Sequence, residues 1–168
     1  RFLGRLLEAE GIATTYIETA PGREALYASL PATMPDASTE ESGVRGSFML
    51  SNHLDVVPVE ADYWTRPAFE GIEEGNRIYG RGAVDMKGFA VMQLMALLVL
   101  KRQEVPLRRD LVFLAVPDEE ALGTYGMRWL CDHHPELLDG VEFEMSEGGS
   151  GATEFNGVTR EVYSVATN

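Results

Sequence analysis

The chain has 168 residues, 45% of them apolar and 24% charged, enough for one domain with a sizeable core. A formal net charge of −13 argues against nucleic acid or an anionic membrane surface as a partner, because both select basic patches. The longest apolar run, residues 89–100, is interrupted by Gln93 and too short to span a bilayer, and a single cysteine, Cys131, excludes an internal disulfide.

In chain order, Phe2, Leu3, Leu6 and Leu7 fall at helical spacing and predict a helix over 2–10 that Gly11 ends. TTYIET and EALYASL, divided by Pro21 and Gly22, predict a strand pair. Residues 31–46 are polar and turn-rich, a surface loop. SFMLSNHLD reads as a buried strand that ends in polar residues. Residues 63–85 are loop-rich with a short strand near 77–79, and Trp64, Pro67 and Phe69 are expected to pack this loop over the sheet.

Residues 86–104 predict a long helix, apolar nearly all round and therefore largely buried, with Met86, Met92 and Met95 as packing residues. LVFLAV reads as a central strand, 125–134 as a second helix stopped before Pro135, VEFEM as a further strand and REVYSVA as the last. Strands alternating with helices indicate an α/β sandwich with a largely parallel sheet.

In open α/β sheets, ligands bind beyond the carboxyl ends of the strands. Four stretches place chemistry there. His53 and Asp55 follow FMLSN, and Asp85 sits at the turn that opens the long helix, where it would also serve as an N-cap. Glu119 and Glu120 follow LVFLAVP, and Glu147 follows VEFEMS. Imidazole with carboxylates suits zinc, and two zinc ions can share a bridging carboxylate and a water. Asp85, Glu119, Glu120 and Glu147 carry four negative charges, which two divalent cations balance; without metal the cluster repels itself. Asp55, two residues after His53, is placed to accept the proton of the ring nitrogen turned away from metal. Asp118 has no assigned role and is left facing solvent. His133 and His134, near Cys131, are read as a helix end, since helical spacing does not bring the three together.

SNHLDVVPV, YWTRPAF, IYGRGAVDMKG, FLAVPDEEALGTYG and SEGGSG occur in that order. The series resembles the dinuclear zinc hydrolases of the aminoacylase, acetylornithine deacetylase and carboxypeptidase G and S type. The resemblance implies a three-layer, zinc-peptidase-like sandwich with a mixed, mostly parallel sheet. It further implies that His53, Asp85, Glu120 and Glu147 are metal ligands, with Asp85 bridging two ions, most simply zinc with cobalt or manganese as substitutes. Glu119 matches the general base and Asp55 the aspartate behind His53, and the Asp85–Met86 peptide bond is expected to be cis.

The implied reaction is hydrolysis of the amide bond of an N-acyl amino acid or of a short peptide with a free C-terminal carboxylate. Glu-Gly-Gly in the last motif resembles the carboxypeptidase S and aminoacylase branch more than the desuccinylases. Relatives insert a lid or dimerisation domain after a strand like REVYSVATN, and the returning chain supplies a further histidine. Residues 1–168 are accordingly expected to be the N-terminal part of one catalytic domain, inactive alone and dimeric in the complete enzyme through the missing domain. A cytoplasmic location is expected, although a start at Arg1 leaves a signal peptide open. The rival reading is a non-catalytic peptide- or protein-binding module on the same scaffold. Glu119 and Asp85, whose loss would favour it, are both present.

Overall fold

A computed structural model describes residues 1–34, 46–148, 150–155 and 157–163. The elements are α1 (Phe2–Ala9), β1 (Thr14–Ala20), β2 (Arg23–Leu30), β3 (Ser47–His53), β4 (Ile72–Glu74), β5 (Arg77–Tyr79), α2 (Lys87–Arg102), β6 (Asp110–Val116), α3 (Met127–His133), β7 (Val141–Met145), β8 (Ser150–Phe155) and β9 (Val158–Tyr163). The end of REVYSVA, residues 164–166, lies outside the described residues. β8, which pairs with β9 in a separate hairpin, is an element that the glycine-rich SEGGSG stretch concealed.

The main sheet has the order β1-β2-β6-β3-β7. β1, β2 and β6 pair antiparallel, whereas β3 is parallel to both β6 and β7. β6 is buried along Leu111–Val116, and its alternate residues feed two cores. Leu111, Phe113 and Ala115 join Leu7 of α1 and Leu94, Leu97 and Leu98 of α2. Val112, Leu114 and Val116 join Leu130 of α3. Helices therefore cover both faces, giving the three-layer mixed sandwich.

The chain passes from β3 to β6 on one side of β3, then crosses to β7 on the other. Parallel crossovers share one hand, so reversing direction puts the two connecting helices on opposite faces. β3 is thus the switch point of the sheet, and a crevice opens at its carboxyl end.

Two packing expectations are corrected. α2 buries one face only: Met92 (62%) and Met95 (44%) are exposed, while Met86, just before the helix, is buried. The helix lies on one side of the sheet with nothing against its outer face among the described residues, so apolar composition did not translate into burial all round. Phe69 is exposed rather than packed on the sheet; Trp64 lies under the Arg81 guanidinium, 5.3 Å from its ring. Among the described residues no helix is long and apolar enough to cross a membrane.

Candidate metal centre

β3 and β6 end level with each other: His53 pairs with Val116, and the Leu54 N–H donates to the Val116 carbonyl at 2.9 Å. Their exits therefore leave the sheet side by side, which brings Asp55 against the DEE turn. The Asp55 carboxylate accepts the N–H of Glu119 on Oδ1 (3.1 Å) and of Glu120 on Oδ2 (3.0 Å). His53 Nδ1 lies 3.1 Å from the Asp55 carbonyl and 3.5 Å from its carboxylate. A carbonyl only accepts, so the neutral ring carries its proton on Nδ1 and turns the Nε2 lone pair outward. Asp55 thus stands behind His53, with its backbone oxygen the nearer acceptor.

Around Nε2 stand Asp85 Oδ1 at 3.1 Å, Glu147 Oε1 at 3.4 Å and Glu119 Oε2 at 3.9 Å. Asp85 is delivered by the 80–86 turn, in which the Ala83 N–H donates to the Gly80 carbonyl and the Lys87 N–H to that of Gly82. The Asp85–Met86 peptide bond is cis. Asp85 makes no capping hydrogen bond; Met86 holds the N-cap position, so the capping role is set aside. A Cβ on Gly88 would lie 2.3 Å from the Ala83 carbonyl oxygen, so the turn and helix approach only because this residue is glycine. Lys87 Nζ donates to the Leu54 carbonyl at 2.6 Å, tying the turn to the β3 exit.

Glu147 reaches the centre from β7, and a buried amide network holds that strand end. Gln93 of α2 donates to the carbonyls of Met145 (2.8 Å) and Ser51 (3.1 Å) and accepts from Asn52 Nδ2 (2.9 Å). The glutamine that interrupts the apolar helix is the residue that joins α2, β3 and β7. Apolar periodicity records it only as a gap.

His53, Asp85 and Glu147 each offer a ligand atom within 4.8 Å of the others. Burial pulls His53 down, but the Glu147 charge, the bond to the Asp55 carbonyl and the Asp55 and Asp85 carboxylates outweigh it and hold the ring above its ordinary value. Burial pushes Glu147 up, His53 opposes this, and Asp85 and Glu119 crowd it further, leaving it raised. Carboxylates held together around an imidazole lone pair fit a divalent cation, whose charge removes that repulsion. Glu120 joins the centre through its backbone; its carboxylate lies outside the three-ligand group.

The family model for peptidase family M20/M25/M40 matches residues 49–159, spanning every one of these residues. The chain belongs to this family. Aminoacylase-1 of Sus scrofa is 35% identical over 154 residues, covering 91% of this chain and 36% of that protein. Among solved structures, the M20 family metallo-carboxypeptidase Sso-CP2 from Sulfolobus solfataricus superposes with a TM-score of 0.68 at 23% identity, over 88% of this chain and 31% of that one. The Bacillus subtilis YXEP protein, described as a dinuclear metal binding peptidase, gives 0.56 at 15%, over 86% and 34%. The chain spans about a third of the length of these relatives.

Within this M20 domain one sequence reading is overturned. Asp118 does not face solvent: it is 3% exposed, pairs with Arg23 and accepts the Tyr125 N–H at 3.0 Å. Three acids in a row hid it, because only the fold shows which one turns inward. Away from the centre, Trp129 stacks on His133 at 4.3 Å and His134 meets Glu136 at 2.8 Å, so neither histidine approaches the ligands.

Proposed function

We propose that this chain supplies the first-metal half, the base and one second-metal ligand of an M20 hydrolase. Its substrate is an N-acyl amino acid or short peptide with a free C-terminal carboxylate. The observation that carries the reading is the convergence of Asp85 and Glu147 on the Nε2 face of buried His53, with Glu119 at 3.9 Å. The family membership and the similarity to aminoacylase-1 support the chemistry.

His53, Asp85 and Glu147 would hold one divalent ion, zinc by the chemistry of the donors, and Glu120 would serve as a ligand to a second. Metal held there would supply Lewis-acid polarisation of the substrate carbonyl and a water acidic enough to attack near neutral pH. The residues of this chain do the rest. Glu119, half exposed beside the ligands, takes a proton from the attacking water and passes it to the leaving amine. Asp55 keeps His53 in the tautomer that presents Nε2 and pins the backbone of the base.

The deciding experiment measures metal content and turnover of N-acetyl amino acids and dipeptides by the complete enzyme. Asp85→Ala is expected to lose both metals and all turnover. Full turnover after exhaustive chelation, or unchanged metal content in Asp85→Ala, overturns the reading.

A further inference from the structure

Asp118 is buried beside the centre yet contributes no atom to it. Its Oδ1 takes the Arg23 guanidinium, its Oδ2 accepts the Tyr125 N–H, and its carbonyl accepts the N–H groups of Ala121 (3.2 Å) and Gly123 (2.7 Å). The start of β2, the DEE turn and the approach to α3 are thereby joined at one carboxylate.

The backbone at Asp118 is left-handed, with φ 72°, and Leu122 at the far end of the turn matches it with φ 71°. Residues with a Cβ resist this conformation. Here it aims the next two N–H groups at Asp55. The arrangement is held from two sides: Asp55 grips the N–H groups, and Arg23, reaching over from β2, grips the residue before them. Removing Arg23 leaves a buried carboxylate with one neutral partner, which favours turning it out to water and releasing the turn.

We propose that the Arg23–Asp118 ion pair is a positioning device that holds the 118–122 turn against Asp55 and so sets Glu119 at its working distance. Arg23 acts through the turn and touches no substrate. The inference rests on the reading of Glu119 as the base.

The test compares Arg23→Met and Arg23→Lys with the unmodified, metal-loaded complete protein, after circular dichroism shows each to be folded. Three quantities are read: kcat and KM separately, metal content, and amide hydrogen exchange of the peptide spanning 118–123. Arg23→Met is expected to lower kcat roughly tenfold to a hundredfold, the scale of a small misplacement of a reacting group, with KM and metal content little changed. Exchange at 118–123 is expected to quicken. Arg23→Lys, which keeps one donor and the charge, recovers most of both. Unchanged exchange in Arg23→Met overturns the proposal, whatever happens to turnover. Quickened exchange with unchanged kcat also overturns it. If the unmodified protein hydrolyses no amide yet exchange quickens in Arg23→Met and recovers in Arg23→Lys, the hold on the turn stands and the assignment of Glu119 falls.

Discussion

Two neighbouring glutamates, Glu119 and Glu120, donate their backbone N–H groups to one aspartate, and the Glu119 carboxylate lies 3.9 Å from His53 Nε2. Glu119→Gln keeps the size and removes the proposed base, so turnover is expected to fall by about 10²- to 10⁴-fold with metal content unchanged, checked by kinetics and metal analysis. His53 gives a pH prediction. In the metal-free protein its ring is held above the ordinary 6.5, so it contributes stability fully below 6.5 that is lost as pH rises through the folded value. Glu147, raised above 4.5, acts in the same direction: its contribution is present below 4.5 and fades as pH rises through its folded value. Metal at the proposed ligands would invert this, since it would bind the neutral ring and the ionised carboxylates. Melting curves taken with chelator and with zinc are therefore expected to draw apart as pH rises, and parallel curves would contradict the assigned ligands.

At the scale of elements, the centre depends on two close approaches of backbone. A Cβ on Gly126 would lie 2.1 Å from the Pro117 carbonyl, and one on Gly88 2.3 Å from that of Ala83. Neither atom belongs to a flexible side chain, so the DEE turn or the Asp85 turn has to move. Gly126→Ala and Gly88→Ala are each expected to cost about 1–3 kcal/mol in urea unfolding, the usual range for overpacking. Both should also weaken zinc binding, whereas Gly11→Ala, with nothing within 4 Å of its Cβ, should leave zinc binding unchanged. β6 and α2 show how far elements were legible. β6 was clear because burial on both faces requires a continuous apolar run. α2 was located closely, but which of its apolar residues face the sheet depends on the neighbours that the fold supplies.

At the scale of the molecule, β3 to β6 to β7 reverses direction across the sheet, so three strand exits converge on one crevice. Folding on its own gathers the acids against mutual repulsion, and a bound cation relieves it. Zinc at about 100 times its dissociation constant is expected to stabilise the fold by roughly 2.7 kcal/mol, read as a rise in melting temperature that chelator reverses. The chain spans about a third of aminoacylase-1. By itself it is expected to bind metal yet turn over N-acetyl amino acids little, because a single histidine reaches the three-ligand group. Brisk turnover by residues 1–168 would contradict that expectation.

What the sequence by itself determined is the local chemistry and its order: which strand exits carry imidazole and carboxylate, which segment is a two-sided core strand, and which family the five motifs resemble. These follow from side-chain type and period, which are properties of adjacent residues. Only the tertiary structure decided that Asp118 turns inward to Arg23, ninety-five positions away, and that Gln93 braces the strand end carrying Glu147. It also decided that the backbone carbonyl of Asp55 is nearer to His53 than its carboxylate. The first two are contacts between segments distant in the chain, and the third is a choice between oxygens of one residue that residue type alone does not make. A polar side chain in the sequence carries no mark of whether its partner will be water or a residue from another strand.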